Sequence, residues 1–226
     1  METKLNHLGI ILDGNRRFAK KNNINPLKGH EYGAQTVWNL FKWAKELGIK
    51  ELSLYAFSTE NFKRSKIEVE YLMNVFLKEF DKLLKSGNLE KNRIKVRFIG
   101  RLHMFDKKIQ EKMKELMEHT KDFDSFIANF CMAYGGRAEI VDAVNKLIKQ
   151  GVKEVDETMI FENLYLPSEP DLIVRTSEQR LSNFLMWQGA YSEIMFLPDK
   201  LWPEFTKQDL VDCVEEFKSR KRRYGK

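Results

Sequence analysis

The chain has few of the residues that build disulfide frameworks, zinc clusters or membrane spans. Its 226 residues include only two cysteines, Cys131 and Cys213, which lie far apart, so neither a disulfide framework nor a zinc site is indicated. No apolar run approaches the roughly 20 residues that a transmembrane helix needs, and the start does not resemble a signal peptide. We therefore expect a cytoplasmic protein whose membrane contact is at most peripheral.

Several nucleotide and prenyl-transfer motifs are also missing. The sequence has no Walker loop, no Rossmann glycine fingerprint and no Asp-Asp-x-x-Asp, so nucleotide binding and all-trans prenyl transfer lose support. It has only five prolines and no Pro/Gly/Ser-rich linker, while 42% of its residues are hydrophobic. That composition predicts one domain, residues 1–226, with one substantial core.

The formal net charge of +6 is concentrated at the C-terminal end. Residues 218–226 contain six basic residues and no acidic one, so the remainder of the chain is neutral. This basic tail could be a solvated helix end, or it could meet an anionic phosphate, lipid surface or nucleic acid. Nucleic acid is the weakest of these hypotheses, and we expect no nucleic-acid partner.

Short apolar segments alternate with longer amphipathic ones along the chain. The pattern predicts strands and helices in turn, which favours an α/β fold with a central, mostly parallel sheet and right-handed crossovers. The predicted strands are residues 8–12, 52–57, 94–99, 126–132, 172–174 and 194–197. The predicted helices are residues 31–47, 66–86, 107–120, 138–150, 156–164 and 207–219.

Polar residues follow four of these strands, at residues 13–17, 58–64, 134–137 and 175–182. Carboxyl ends of parallel strands share one sheet edge, where ligands of open α/β sheets bind. We expect this edge to assemble a set of opposite charges: Arg17, Arg64, Arg175 and Arg180 with Asp13 and Glu193. The surplus of guanidinium groups suits an anionic ligand, most simply a diphosphate with a metal ion. From spacing alone, an ordinary strand, turn and helix capped by Asp13 explains the first segment equally well.

At this point the sequence closely resembles the cis-prenyltransferases, the undecaprenyl diphosphate synthase family, in an archaeal-like form. The resemblance rests on ordered blocks distributed along nearly the whole chain. The matching positions are His7, residues 13–19, Gly29, His30, residues 55–64, Asn129, residues 134–137, 171–176 and 180–188, and Glu193.

The resemblance implies a homodimeric enzyme that adds isopentenyl diphosphate to an allylic prenyl diphosphate in cis geometry with Mg²⁺, giving a lipid carrier precursor. It implies that Asp13 is catalytic and binds metal, with Glu193 as the second metal ligand. Asn61 matches a position proposed as proton acceptor, but a neutral amide is a poor base, so we assign it an orienting role. The implied substrate-binding positions are Gly14, Asn15, Arg16, Arg17, Phe18, His30, Ser58, Thr59, Glu60, Phe62 and Arg64, with Arg175, Arg180, Leu181 and Ser182 on the isopentenyl diphosphate side.

Some residues depart from the family pattern or carry a second interpretation. Pro26 stands where many bacterial members have a phosphate-binding arginine, and Phe18 and Phe62 replace frequent tryptophans. The apolar stripe of residues 66–86 is explained mainly by core packing, with about a third of it assigned to a product tunnel. The ending at residues 223–225 resembles an Arg-x-Gly ending that reaches the partner subunit's substrate region in part of the family.

Two rival functions stay open at this stage. One is an irregular cis-prenyl transfer, which joins chains in another order or uses another acceptor. The other is a catalytically silent partner subunit, although such subunits usually lack the residues that match Asp13, Asn61, Arg175 and Glu193.

Overall fold

The computed structural model describes residues 4–220. Six parallel strands form a single sheet in the order β3-β4-β2-β1-β5-β6. The strands are β1 His7–Ile11, β2 Glu51–Ser58, β3 Ile94–Ile99, β4 Phe126–Tyr134, β5 Leu172–Thr176 and β6 Glu193–Leu197. The expected α/β fold is confirmed, and every strand pairing within the described residues is parallel.

Eight α-helices surround this sheet in the described part of the chain. They are α1 Asn15–Lys21, α2 Gly29–Glu46, α3 Lys66–Lys85, α4 Asn88–Asn92, α5 Lys107–His119, α6 Gly136–Lys149, α7 Glu157–Asn163 and α8 Lys207–Ser219. The six predicted helices are confirmed as α2, α3, α5, α6, α7 and α8, whereas the short α1 and α4 were not among them. None of the helices in residues 4–220 combines the length and apolarity needed to cross a bilayer.

The strands bury side chains on both faces of the sheet. In β5, Leu172 and Val174 belong to a large core cluster while Ile173 belongs to a smaller one. Successive side chains of a strand point to opposite faces, so the two clusters lie on opposite sides of the sheet. The large cluster includes residues of α2, α3, α5 and α8. Burial on both faces explains why the strands read as continuous apolar runs.

A buried polar network crosses the amino-terminal half of the sheet. His7 Nε2 lies 2.8 Å from Ser53 Oγ, and Asn129 Nδ2 donates to Ser53 Oγ at 3.0 Å and to Glu51 Oε1 at 2.6 Å. Ser168 Oγ donates to Glu51 Oε2 at 3.1 Å. Burial lowers the pKa of His7 more than the neighbouring Glu51 raises it. These residues therefore join three strands and one loop by hydrogen bonds, remote from the carboxyl edge.

Candidate active site

A polar cleft of about 540 Å³ opens at the carboxyl edge of the sheet. It lies beyond the ends of β1, β2 and β5, where sequence analysis expected a site. The predicted residues that line it are Asp13, Asn15, His30, Ser58, Glu60, Asn61, Arg64, Arg175, Arg180 and Ser182. The topology thus brings together residues that are up to 169 positions apart in the chain.

A tight turn between β1 and α1 positions Asp13 at this cleft. Gly14 adopts φ 109°, and a Cβ added there would lie 2.3 Å from Ser177 Oγ, so the turn requires glycine. The Asp13 carbonyl accepts hydrogen bonds from Thr176 Oγ1 at 2.7 Å and the Trp202 amide at 2.9 Å. The N-cap residue of α1 is Gly14, and no side chain caps this helix by a hydrogen bond. The helix-capping explanation of Asp13 is therefore wrong, and its carboxylate is available to the cleft.

The first of two arginine clusters, the Glu178 cluster, surrounds Asp13. Asp13 Oδ2 lies 2.9 Å from Arg175 Nη2, and Oδ1 lies 3.0 Å from Arg17 Nη2. Glu178 pairs with the same two arginines, at 2.9 and 3.3 Å, and also with Arg180. Burial would raise the pKa of Asp13, but the hydrogen bonds from Arg175 and Arg17 outweigh it and hold the pKa below its usual value.

Arg175 is the most buried member of the Glu178 cluster, with 4% of its side chain exposed. Its Nη1 donates to the Ser182 hydroxyl at 2.5 Å and to the Arg180 carbonyl. These bonds tie the loop after β5 back onto the end of that strand. Ser177 and Ser182 in this loop have left-handed backbone conformations, φ 70° and 47°, which non-glycine residues seldom adopt.

The second cluster, the Glu68 cluster, is built on helices. Glu68 of α3 lies 2.8 Å from Arg64 Nη1, 3.2 Å from Arg16 Nη1 and 3.8 Å from His30 Nε2. Burial lowers the pKa of His30 to about 4, with the charge of Arg64 acting in the same direction. His30 is therefore neutral at pH 7, and Glu68 faces two fixed positive charges.

The end of β2 contributes a third, hydrogen-bonded wall. Asn61 Oδ1 accepts from the Ser58 amide at 3.0 Å in a capping box, which fixes the Asn61 side chain at the cleft. Burial would raise the pKa of Glu60, but its hydrogen bonds to its own backbone, Ser58, Thr59 and Asn183 lower it. This geometry is compatible with the orienting role that we predict for Asn61.

Four residues that shape the cleft were missed by the sequence reasoning: Glu68, Glu178, Tyr55 and Asn183. Glu68 follows Arg64 by four positions, the spacing at which opposite charges meet on one helix face. Glu178 follows Arg175 by three positions but lies in a loop, where spacing carries no such rule. Tyr55 and Asn183 line the cleft; Tyr55 stacks on Phe184 with ring centroids 4.8 Å apart.

Other predicted residues lie away from the polar cleft. Phe18 packs on Tyr32 with ring centroids 5.3 Å apart, Phe62 packs on Phe57 at 4.9 Å, and Leu181 packs against the smaller core cluster. Thr59 lies against Gly135, where an added Cβ would be 3.1 Å from its hydroxyl. Substrate contacts by these residues stay predictions, as do backbone contacts by residues 14–17.

Glu193 lies at the amino-terminal end of its strand, whereas Asp13 follows the carboxyl end of β1, so the two residues lie at opposite ends of the parallel strands. It begins β6 in register with Leu172, which in turn pairs with Leu8, five residues before Asp13. At about 3.3 Å per residue, the two carboxylates are separated by roughly 16 Å along the strand direction. Glu193 instead forms an ion pair with Arg220 at 2.8 Å. A single chain therefore does not bring the two predicted metal ligands together, and the role of Glu193 stays a prediction.

The cleft carries signs of a ligand that completes it. Within residues 4–220, buried polar atoms without a hydrogen-bond partner include Arg175 Nε, His30 Nε2 and Asn15 Oδ1, and all three residues line the cleft. Buried polar groups are normally paired, so these atoms suit a polar ligand. No group of three or more potential metal-ligating side chains occurs in the described chain. One carboxylate, Asp13, together with phosphate oxygens is nonetheless a donor set that Mg²⁺ accepts.

An apolar cavity of about 120 Å³ continues from the polar cleft between the sheet, α2 and α3. Leu12, Asn15, His30, Ala56 and Leu72 line both spaces. Of the predicted stripe on α3, the cavity is lined by Leu72, Phe76, Phe80 and Leu83. Val69, Met73 and Leu77 instead line a separate outer groove. Four of the seven stripe residues thus line the cavity, more than the third assigned to a tunnel, and their role as a tunnel wall stays a prediction.

Comparison with known proteins identifies the matching family. Residues 11–225 match the family model described as putative undecaprenyl diphosphate synthase. An isoprenyl transferase of Thermotoga maritima is 46% identical, covering 97% of this chain and 96% of the relative. The tritrans,polycis-undecaprenyl-diphosphate synthase (geranylgeranyl-diphosphate specific) of Pyrococcus abyssi is 42% identical, covering 97% of this chain and 86% of that protein.

Solved structures agree with this match. Lavandulyl diphosphate synthase from Lavandula x intermedia, in complex with dimethylallyl diphosphate, superposes with a TM-score of 0.90 and 32% identity, covering 98% of both chains. A probable undecaprenyl diphosphate synthase from Campylobacter jejuni superposes with a TM-score of 0.85 and 36% identity, covering 99% of this chain and 100% of the other.

Proposed function

Because the chain belongs to the undecaprenyl diphosphate synthase family of prenyl transferases, we propose that it joins isopentenyl diphosphate to an allylic prenyl diphosphate in cis geometry with Mg²⁺. The product would be a cis-polyprenyl diphosphate that serves as a lipid carrier precursor. The observation that carries the proposal is one cleft with two separate arginine clusters, opening into an apolar cavity. Two diphosphates and one hydrocarbon tail match these three compartments.

The cavity indicates which substrate binds at which cluster. It begins at His30 and Leu72, beside the Glu68 cluster. An allylic diphosphate bound by Arg16, Arg64 and His30 would therefore direct its prenyl tail into the cavity, where apolar burial is favourable. Isopentenyl diphosphate, which has no long tail, would bind at the Glu178 cluster.

The proposed reaction exchanges one bond for another. The allylic C–O bond breaks and the diphosphate leaves with the electron pair, while allylic C1 bonds to C4 of isopentenyl diphosphate and C2 of the latter loses a proton. The arginines of the Glu68 cluster would stabilise the departing diphosphate. Asp13, together with phosphate oxygens of the substrates, would hold Mg²⁺, whose charge would offset the negative charge of the leaving group. Asn61 would orient the acceptor, and released diphosphate is a candidate for taking the proton.

Assembly and location complete the proposal. We infer a homodimer, supported by the exposed apolar residues Val141 and Ile148 on one face of α6 and by Met186 beside the start of that helix. Such apolar surface on a monomer commonly marks an interaction site. The molecular mass measured by light scattering would test this oligomeric state.

We also infer a cytoplasmic enzyme with peripheral membrane contact and no nucleic-acid partner. Residues 223–225 lie outside the described chain, so their predicted reach into a partner subunit stays a prediction.

One incubation tests the proposed activity. Purified protein would receive labelled isopentenyl diphosphate, Mg²⁺ and allylic primers of several lengths, and products would be separated by chain length. Primer-dependent elongation is expected. Similarity to lavandulyl diphosphate synthase makes an irregular condensation the second candidate, and product from dimethylallyl diphosphate without isopentenyl diphosphate would favour it. No turnover with any primer would contradict both and favour the silent partner subunit.

A further inference from the structure

A polar contact joins α2 and α3 in the part of the apolar cavity that lies away from the cleft. Trp38 Nε1 of α2 donates to Glu79 Oε2 of α3 at 2.6 Å. Lys82 Nζ lies 3.7 Å from the same oxygen and 4.9 Å from the centroid of the Trp38 ring. Glu79 and Trp38 line the cavity, whose remaining walls are mostly apolar. The three side chains satisfy one another and hold the indole across the gap between the helices.

This cluster lies in the far half of the cavity, about one helical turn before the lining ends at Phe41 of α2 and Leu83 of α3. On α2 the cavity extends from His30 past Trp38, and on α3 from Leu72 past Glu79. A rise of 1.5 Å per residue places Trp38 about 12 Å from His30, and Glu79 about 10 Å from Leu72. A prenyl tail that grows away from the cleft would therefore meet this cluster.

A second space begins on the other side of Trp38. This outer cavity has a volume of about 550 Å³, and it shares Trp38, Phe41 and Leu83 with the inner cavity. Its further lining combines the apolar Ile94 and Phe126 with polar and charged residues, which are Lys42, Lys45, Glu46, Asn88 and Asn92. The indole and its two apolar neighbours thus form the partition between the inner and outer cavities.

We propose that Trp38, held by Glu79 and Lys82, limits the length of the prenyl product. The inference rests on the proposed function, since it requires that a growing chain enters the inner cavity. That cavity, about 120 Å³, is comparable to one of ~150 Å³ that holds benzene, so a longer chain must displace its walls. Displacing the indole breaks its hydrogen bond to Glu79 and leaves that carboxylate beside hydrocarbon with Lys82 as its remaining partner, which is costly. Elongation past this partition is therefore disfavoured.

Product analysis of four variants tests the proposal. Trp38→Ala should join the two cavities and lengthen the products by one or more isoprene units at a fixed ratio of isopentenyl diphosphate to primer. Glu79→Leu should release the indole and lengthen them as well. Trp38→Phe retains an aromatic wall without the N–H donor and should give a smaller shift. Lys78→Ala, on the exposed face of α3, is the matched control and should leave the distribution unchanged.

The outcomes separate this inference from the function on which it rests. Elongation by the wild type with identical product lengths in all folded Trp38 and Glu79 variants overturns the inference alone. Absence of elongation by the wild type overturns the proposed function and this inference with it. Circular dichroism and thermal unfolding identify folded variants; Trp38→Phe, the most conservative change, keeps the test decisive if Trp38→Ala does not fold.

Discussion

The two arginine clusters of the cleft differ in how the backbone holds them. Arg16, His30 and Glu68 of the Glu68 cluster lie on three separate helices, so its geometry follows from helix packing. The Glu178 cluster depends on the loop after β5, where Ser177 and Ser182 have left-handed conformations. Such conformations persist only where surrounding contacts enforce them. Arg175 holds Ser182 and the Arg180 carbonyl, whereas Ser177 donates to the carbonyls of Asp13 and Lys200. Arg175 therefore shapes the Glu178 cluster as well as belonging to the proposed isopentenyl diphosphate site.

Replacing Asp13 should have the largest effect, because Asp13 belongs to the Glu178 cluster and is the proposed Mg²⁺ ligand. Asp13→Asn should lower kcat by about 10³-fold, the order seen when an electrostatic stabiliser of a transition state is removed. Excess chelator should likewise abolish wild-type turnover, and added Mg²⁺ should restore it. Steady-state rates measure both effects. Full activity in chelator would contradict the metal assignment.

Asp13 should also make folding stability depend on pH. Its pKa is lowered in the folded state, so its pairing stabilises the fold above the ordinary pKa of aspartate and is lost as the pH falls through the folded pKa. Urea unfolding of wild type and Asp13→Asn at several pH values measures this difference. The stability advantage of the wild type should shrink toward acidic pH; a constant difference would contradict it.

Replacing arginines of each cluster by alanine tests the difference between the two clusters directly. Arg175→Ala removes a buried ion-pair partner, so it should cost about 3 kcal/mol of unfolding free energy and chiefly impair the use of isopentenyl diphosphate. Arg64→Ala should chiefly raise KM for the allylic primer and leave stability nearly unchanged. Arg180→Ala, which removes an exposed cluster member, should impair isopentenyl diphosphate without the stability loss. Equal kinetic damage toward both substrates from all three changes would argue against separate sites.

Histidine titration sharpens the description of the Glu68 cluster. In the folded, ligand-free protein the pKa of His30 is lowered to about 4. In the unfolded chain, His30 therefore takes up its proton at a higher pH. This histidine therefore costs stability as the pH falls from about 6.5 toward 4. A bound diphosphate adds negative charge and should raise the pKa of His30. NMR titration with and without inorganic diphosphate would show it; an unchanged pKa on saturation would place the anion elsewhere.

The smallest expected effect concerns the two sides of the apolar stripe. Ala34 lines the inner cavity, whereas Leu77 lines the outer groove. Ala34→Leu should therefore shorten the products by about one isoprene unit, since an isobutyl group in place of a methyl group fills space that a close-packed interior cannot supply elsewhere. Leu77→Trp should leave product length unchanged and serves as the control. If Leu77→Trp shortened the products and Ala34→Leu did not, the product tunnel would instead lie along the outer groove.

Local patterns in the sequence were sufficient to predict the strands, most helices and the polar carboxyl edge. The hydrophobic periodicity of about a dozen residues predicts a strand or a helix, and turn residues such as Gly14 indicate where it begins or ends. Parallel pairing then places the ends of β1, β2 and β5 together whatever the loops between them do. For this reason Asp13, Arg64 and Arg175 could be assigned to one cleft in advance.

Which charge faces which was decided only by the tertiary structure. Glu68 and Glu178 each collect basic groups from several elements, and Glu193 falls at the opposite edge from Asp13 because it begins its strand and does not end it. Leu77 turns away from the cavity although it shares the apolar stripe with Phe76. The sequence by itself determined where polar and apolar side chains occur along each element. Only the packing of helices on the sheet determined their partners, because an ion pair or a cavity wall depends on distances between elements that no local pattern encodes.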